Sequence, residues 1–243
     1  MLTQIPNEAI VKHLSMPKVV DLMEHVFANP DLGGMPPKIY LEMPPNDYRA
    51  MPARFDDAVG IKWASIYPNN RANGHGDSVS ATIMLNDIEN GYPIAVMDGM
   101  LITSYRTAAV TGLATKYLSR KDSATAAFIG CGFQTEFQIE AVLSVRDIKH
   151  IKLFDLDPER AFSLSQKLAS APYANRVTRC TVCDSLEECV RDSDILTTLT
   201  PSRAPFVMAD WLEAGIHING IGADAEGKQE FENEIVNSCS RFI

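Results

Sequence analysis

Four cations in the first half of the sequence sit where a cation needs explaining. Lys38 and Lys62 each fall within a short apolar run, Lys38-Ile-Tyr-Leu41 and Val59-Gly-Ile-Lys-Trp63. Arg49 adjoins Ala-Met-Pro-Ala. Arg106 falls in what reads as the first turn of an alanine-rich helix, where a cation opposes the helix dipole and invites an anion. Gathered in space, such groups would bind a carboxylate, Arg as a bidentate fork and Lys as a point charge. The plainer alternative is four solvated surface cations, the usual fate of Lys and Arg. A candidate for proton transfer is Asp224, in the small-residue loop Gly220-Ile-Gly-Ala-Asp-Ala-Glu-Gly-Lys-Gln-Glu230. This loop follows a strand, and the carboxyl edge of a parallel sheet is where such folds bind ligands. Its alternative is a turn-forming aspartate. His75, flanked by Gly74 and Gly76, is either a second proton carrier or an ordinary loop residue.

A third group of residues suits a dinucleotide. Ala126-Ala-Phe-Ile-Gly-Cys-Gly-Phe-Gln-Thr135 reads as a strand, a tight glycine turn and the start of a helix running to Val145. Gly130 permits the turn, Gly132 lets backbone approach a pyrophosphate, and the helix N-terminus offers unpaired N–H groups. Cys131 is a small packing residue within that turn, and Thr135 stands where the usual pattern has its third glycine. A second strand, His150-Ile-Lys-Leu-Phe-Asp155, ends on an acid. An acid about 20 residues beyond the glycines meets the adenosine ribose in nucleotide-binding βαβ units. Its charge would repel a ribose phosphate, which favours NAD, with NADP still possible. Asp155 as a helix cap is the rival role, although Asp157, before Pro158, is the better cap.

These side chains need two different scaffolds. Residues 3–28 read as two short helices, with Asn7 capping the first and Pro17 opening the second. From Pro37 short β-like runs alternate with turns rich in Pro, Asn, Asp and Gly, and Asn90-Gly91 marks a hairpin. Thr103 or Ser104 is expected to cap a long helix through Leu118. From Ser123 onward strands and helices alternate, the pattern of a parallel sheet, ending in an apparent strand opening at Arg241-Phe-Ile243. The expected architecture is α/β: a mixed α+β domain over residues 1–121 and a Rossmann-type domain over 122–243.

Composition narrows the partners. The formal charge of −9 over 243 residues argues against nucleic acid or an anionic membrane surface. No apolar run approaches the roughly 18 residues that span a bilayer. Five scattered cysteines fit a reducing cytoplasm. Cys180 and Cys183 form the one close pair, with no second pair to make a metal site.

Several segments together resemble the ornithine cyclodeaminase/mu-crystallin family: Met35-Pro-Pro-Lys-Ile-Tyr, Asp47-Tyr-Arg-Ala-Met-Pro-Ala, Gly60-Ile-Lys62, Ala95-Val-Met-Asp-Gly, Thr103-Ser-Tyr-Arg-Thr-Ala-Ala109, Gly130-Cys-Gly-Phe-Gln and Ile221-Gly-Ala-Asp-Ala-Glu-Gly-Lys-Gln-Glu230. The resemblance implies a dimerising substrate domain, a Rossmann domain, tightly held NAD(P), and chemistry at the carbon–nitrogen bond of an amino acid. It implies that Lys38, Arg49, Lys62 and Arg106 surround the substrate carboxylate, that Asp224 handles protons, and that Lys62 belongs to the catalytic set. Thr107 and Asp155, with Gly130, Cys131, Gly132, Phe133, Gln134 and Thr135, would hold the cofactor. Lys38 followed by Arg49 looks like the archaeal-type alanine dehydrogenases, whereas the cyclodeaminases usually carry Arg at the first position. Two rivals remain: an ornithine cyclodeaminase, and a catalytically silent protein that binds a nicotinamide nucleotide and a small ligand. Members usually run well beyond Ile243, so the resemblance also implies a C-terminally incomplete nucleotide-binding domain.

Overall fold

A computed structural model describes residues 2–243, and the chain divides into two compact units, Met1–Arg106 and Thr107–Ile243. The division falls inside a helix, earlier than the boundary after residue 121 that the sequence suggests.

The first unit is a mixed sheet with helices. In chain order it comprises β1 (Thr3–Ile5), α1 (Asn7–Val11), α2 (Met16–Ala28), β2 (Gly33–Gly34), β3 (Ile39–Met43), β4 (Asn46–Phe55), β5 (Ala58–Ile66), β6 (Val79–Asn86) and β7 (Pro93–Asp98), and it ends within α3 (Met100–Leu118). Strands β4 to β7 form an antiparallel meander, β2 and β3 pair with β4, and β1 adds in parallel beyond β7. The expected strands and the Asn90-Gly91 hairpin are present. Its turn is built by the Asp87 carboxylate, which accepts from the Glu89 and Asn90 N–H groups at 2.8 and 3.3 Å. Ile10, Ala95 and Met97 are buried together, with Ile5, Leu14, Ile83 and Leu85 packed on them.

Four local expectations are corrected. Asn7 is the first residue of α1 rather than its cap, which is Pro6. The three residues before Pro6, read as helical from the sequence, form β1, too short a strand to show alternation. Helix α3 begins at Met100, three residues before Thr103, because the Asp98 carboxylate accepts from the Met100 N–H at 2.8 Å. Thr103 and Ser104 therefore cap nothing, and Ser104 instead donates back to the Met100 carbonyl at 2.9 Å. Arg106 lies beyond the first turn, so the dipole argument made for it does not hold, because that effect fades within one turn.

The second unit alternates strands and helices: β8 (Thr125–Ile129), α4 (Thr135–Val145), β9 (His150–Phe154), α5 (Pro158–Ala169), β10 (Arg179–Val182), α6 (Leu186–Val190), β11 (Ile195–Thr198), β12 (His217–Gly220) and α7 (Asn233–Ser238). All five strands are parallel, in the order β10-β9-β8-β11-β12. The order reverses between β8 and β11, the topological switch point of a doubly wound fold. From Ala126 to Ile129 strand β8 is apolar and buried, as expected of a central parallel strand covered on both faces. Phe128, Ile139, Val142, Ile151 and Leu153 form one side of the core, and Ala127, Ile129, Leu196 and Val207 the other. Asp157 caps α5, its side chain accepting from the Glu159 N–H at 3.2 Å. The helix expected around Trp211 is a single 3-10 turn, Ala209–Trp211. Residues 240–243 form no strand. A strand exists only through its ladder, and these residues pair with none of the described backbone.

Asp194 ties down the amino edge of this sheet. One carboxylate oxygen accepts from the Ala124 and Thr125 N–H groups at 2.7 and 2.9 Å, and the other pairs with Arg120. Asp194→Ala strands two backbone donors and one guanidinium, so unfolding in urea is expected to shift by about 2–3 kcal/mol. Nucleotide binding by the folded fraction should be unchanged.

Candidate active site

The antiparallel register builds the cationic cluster. Met51 of β4 faces Lys62 of β5, and Arg49 faces Ala64. Directly paired residues share a sheet face and alternate residues repeat it, so Arg49 and Lys62 lie diagonally on one face. Tyr40 of β3 opposes Arg49 on that face, and the guanidinium stands 5.4 Å from the centre of its ring. Lys38 enters from the segment before β3, and Arg106 from α3. The Lys62 ammonium donates to the Thr103 hydroxyl at 3.4 Å. Burial, aided by the charges of Arg106, Lys38 and Arg49, pulls its pKa from 10.5 down to about 8. Arg106 keeps an exposed edge, yet withdrawal of its charged group from water lowers it too. The other three sequence-nominated cations therefore all act on Lys62.

A partner that the sequence reading passed over is Asp47. It accepts from Arg49 in a bidentate pair, at 2.7 Å to Nε and 3.3 Å to Nη2, and both side chains are largely buried. An Asp two residues before an Arg on one strand shares its face, which was the available signal. The pair fixes the fork's orientation and leaves the cluster's positive field concentrated on Lys38, Lys62 and Arg106.

In the second unit the glycine turn leads from β8 into α4. Gly130 has φ +93°, and a Cβ there would meet the Leu199 carbonyl oxygen at 2.9 Å and its carbon at 3.1 Å. Gly130→Ala is expected to cost about 1–3 kcal/mol in backbone strain. It should also weaken nucleotide binding, which thermal melts with and without NADH would show together. Gly132 differs, because a Cβ there would meet nothing within 4 Å. Space beside bare backbone at a helix N-terminus is what a pyrophosphate requires. Asp155 bridges the turn, accepting from the Cys131 N–H at 2.7 Å and from the Asp157 N–H at 2.9 Å. Residues 130–132, the α4 N-terminus and Asp155 thus fit a dinucleotide's phosphates and ribose.

Other nominated residues have different surroundings. Thr135 is buried, and its hydroxyl donates to the Gly130 carbonyl at 2.6 Å, so it braces the turn in place of a third glycine. Cys131 is buried, and its thiol is pushed up to about 12 by burial and then by Asp155, which keeps it protonated. Phe133 is exposed beside Phe137, Gln134 is the N-cap of α4, and Thr107 is half-buried in α3. A cleft of about 470 Å³ opens beside the turn between α4 and α5, lined among others by Gly132, Phe133, Phe137, Arg160 and Leu164.

Asp224 lies beyond the carboxyl end of β12, exposed, and pairs with Lys228 four residues on in the same loop. Lys228 is the second residue the sequence reading missed, although four-residue spacing was visible. His75 sits in an exposed loop of the first unit. Among the described residues no group of three or more His, Cys, Asp or Glu side chains is placed to hold a metal ion, and no helix is long and apolar enough to cross a membrane.

Comparison with known proteins gives the chain's family and fold. The model of the ornithine cyclodeaminase/mu-crystallin family matches residues 4–243. An alanine dehydrogenase from Archaeoglobus fulgidus is 41% identical over 251 residues, covering 100% of this chain and 73% of that protein. An ornithine cyclodeaminase from Agrobacterium fabrum is 34% identical over 195 residues, covering 79% of this chain and 53% of that protein. The match thus spans about half the cyclodeaminase. Among solved structures, an archaeal alanine dehydrogenase dimer with bound NAD superposes with a TM-score of 0.88 at 40% identity, over 96% of this chain and 71% of that one. The Thermococcus litoralis Δ1-pyrroline-2-carboxylate reductase, in complex with NADH and L-proline, gives 0.89 at 33% identity, over 96% and 72%. On sequence and fold alike, this chain belongs to the ornithine cyclodeaminase/mu-crystallin family.

Proposed function

We propose that this chain is an NAD-dependent enzyme acting at the α carbon–nitrogen bond of a small L-amino acid, in the manner of an alanine dehydrogenase. The observation that carries this reading is Lys62, a half-buried ammonium brought down to about 8 among three further cations. A protein holds like charges together in a partly dry site where an anion completes them. The first unit serves as substrate and dimerisation domain, and the second holds the cofactor. Support for NAD comes from Gly130, Gly132 and Asp155, and from relatives solved with NAD or NADH. A homodimer is supported by the dimeric archaeal relative and by the exposed Ile39, Leu41 and Met43 of β3, and the cytoplasm by the free, scattered cysteines.

In this reading Lys62, Lys38 and Arg106 hold the substrate carboxylate, and Arg49, fixed by Asp47, sets its orientation. A nicotinamide bound at the second unit supplies a hydride acceptor, or a donor in the reductive direction. Asp224 takes the proton from the water that adds to the oxidised α-carbon, and ammonia and a 2-oxo acid leave. Lys228 keeps that carboxylate aimed between turnovers.

The second reading is ornithine cyclodeaminase, with L-ornithine giving L-proline and ammonia. In that case the substrate's own distal amine replaces water, with the advantage of high effective concentration. Lys38 in place of the bidentate Arg favours the dehydrogenase. Incubation with NAD and, separately, L-alanine, L-ornithine and L-lysine, followed by mass spectrometry, distinguishes them. Pyruvate with accumulating NADH is the expected result. Proline without net NADH would assign the cyclodeaminase, and NAD binding without product would leave a silent binding protein.

A further inference from the structure

The loop that carries Asp224 is fastened by a carboxylate to which the mechanism above gives no role. Glu230 is 1% exposed. One of its oxygens accepts from the Thr200 N–H and the Thr200 hydroxyl, both at 2.8 Å. The other accepts from the Thr198 hydroxyl at 2.8 Å and the Gly222 N–H at 2.9 Å. Thr198 ends β11, and Gly222 follows β12. A single side chain thus joins the loops leaving two neighbouring parallel strands at their carboxyl edge. The loops touch so closely that Gly222 has no room for a side chain: a Cβ there would lie 2.1 Å from the Thr200 carbonyl oxygen and 2.5 Å from the Glu230 carboxylate. The Asp224 N–H in turn donates to the Gly222 carbonyl at 3.0 Å.

We propose that Glu230 is the positioning residue of the site, acting through Thr200 and Gly222 to fix the loop that presents Asp224. The proposal rests on the reading of Asp224 as the proton-handling group. Its chemistry is specific to a carboxylate. The threonine hydroxyls can rotate to accept, but the Thr200 and Gly222 N–H groups cannot. They point at different oxygens of Glu230. An amide in place of the carboxylate must turn its NH2 toward one of them in either orientation. Glu230→Gln therefore sets donor against donor at one loop while leaving size and shape unchanged, and Glu230→Asp keeps both acceptors on a shorter arm.

The test uses the 243-residue chain and its variants Glu230→Gln, Glu230→Asp, Asp224→Asn and Asp224→Asn/Glu230→Gln. Amide hydrogen exchange, which needs no turnover, should speed by about tenfold or more across residues 199–201 and 221–225 in Glu230→Gln, with strands β8 to β10 unchanged. With NAD and L-alanine, kcat should fall by about 10- to 100-fold while KM for the amino acid stays within about twofold. Glu230→Asp should recover part of kcat. The double variant should be no slower than Asp224→Asn alone, because the two act in series. Unchanged exchange in both loops, or losses that multiply in the double variant, would overturn the proposal. A fully active Asp224→Asn would overturn the reading of Asp224 instead, while exchange in the two loops still decides whether Glu230 is their clamp.

Discussion

Lys62→Met is expected to cut turnover severely and at the same time to make the protein slightly more stable. The side chains are similar in length, so packing between β4 and β6 is retained while the charge goes. Loss of the central cation in a half-buried anion site should lower kcat/KM by roughly 10²- to 10³-fold. For stability the sign follows from the two pKa values. The folded value of about 8 lies below the ordinary lysine value of 10.5. The protonated ammonium therefore burdens the fold below about 8, and wild-type stability climbs as pH rises from there toward 10.5. Discounted for its remaining contact with solvent, relief of that charge is worth about 1 kcal/mol at neutral pH. Urea titrations of wild type and variant from neutral to alkaline pH would show the two curves converging. An anion reverses the effect by favouring the ammonium. Pyruvate affinity should hold steady up to about pH 8 and weaken above it, with proton uptake visible as buffer-dependent heat in calorimetry near that pH. A Lys62→Met protein that binds pyruvate as well as wild type would remove the anion site from the account.

Asp224→Asn carries the second large effect. Asparagine keeps the size of the side chain and a hydrogen bond to Lys228 but cannot take a proton. Loss of general acid/base catalysis should lower kcat by roughly 10²- to 10⁴-fold. The KM for the amino acid should change little, since the cationic cluster is built on β4, β5, α3 and the segment before β3. NADH binding, followed by fluorescence titration, should be that of wild type. A parallel rise in KM and in the NADH dissociation constant would mean that the residue holds the loop's structure rather than moving protons.

Much of this was readable from residue types and spacing, and the failures share a cause. The glycine turn, Asp155 and the alternating second half specify the doubly wound sheet locally, because each signal lies within one strand–turn–helix unit. The hairpin at Asn90-Gly91 and the β-like runs of the first half were equally local. What escaped depends on neighbours far along the chain. The three-residue β1 exists only through its parallel ladder with β7. The start of α3 was misplaced because hydroxyl residues inside the helix resemble caps, while Asp98, at the end of a strand, performs the capping. The cationic residues were nominated singly. Their convergence follows from the register that sets Met51 opposite Lys62, which no local pattern states. Glu230 was visible only as the end of a motif, and its four donors come from three separate residues that the fold brings together.

The most direct test of the central claim follows the hydrogen itself. L-alanine deuterated at its α-carbon would be incubated with the chain and NAD, and both pyruvate and the reduced nucleotide would be weighed by mass spectrometry. The account predicts one deuterium in each NADH formed, in step with pyruvate, and transfer slowed by roughly 10²- to 10³-fold in Lys62→Met. Pyruvate accompanied by unlabelled NADH would contradict it, as would failure to transfer deuterium from α-labelled alanine, ornithine or lysine by a protein saturated with NAD.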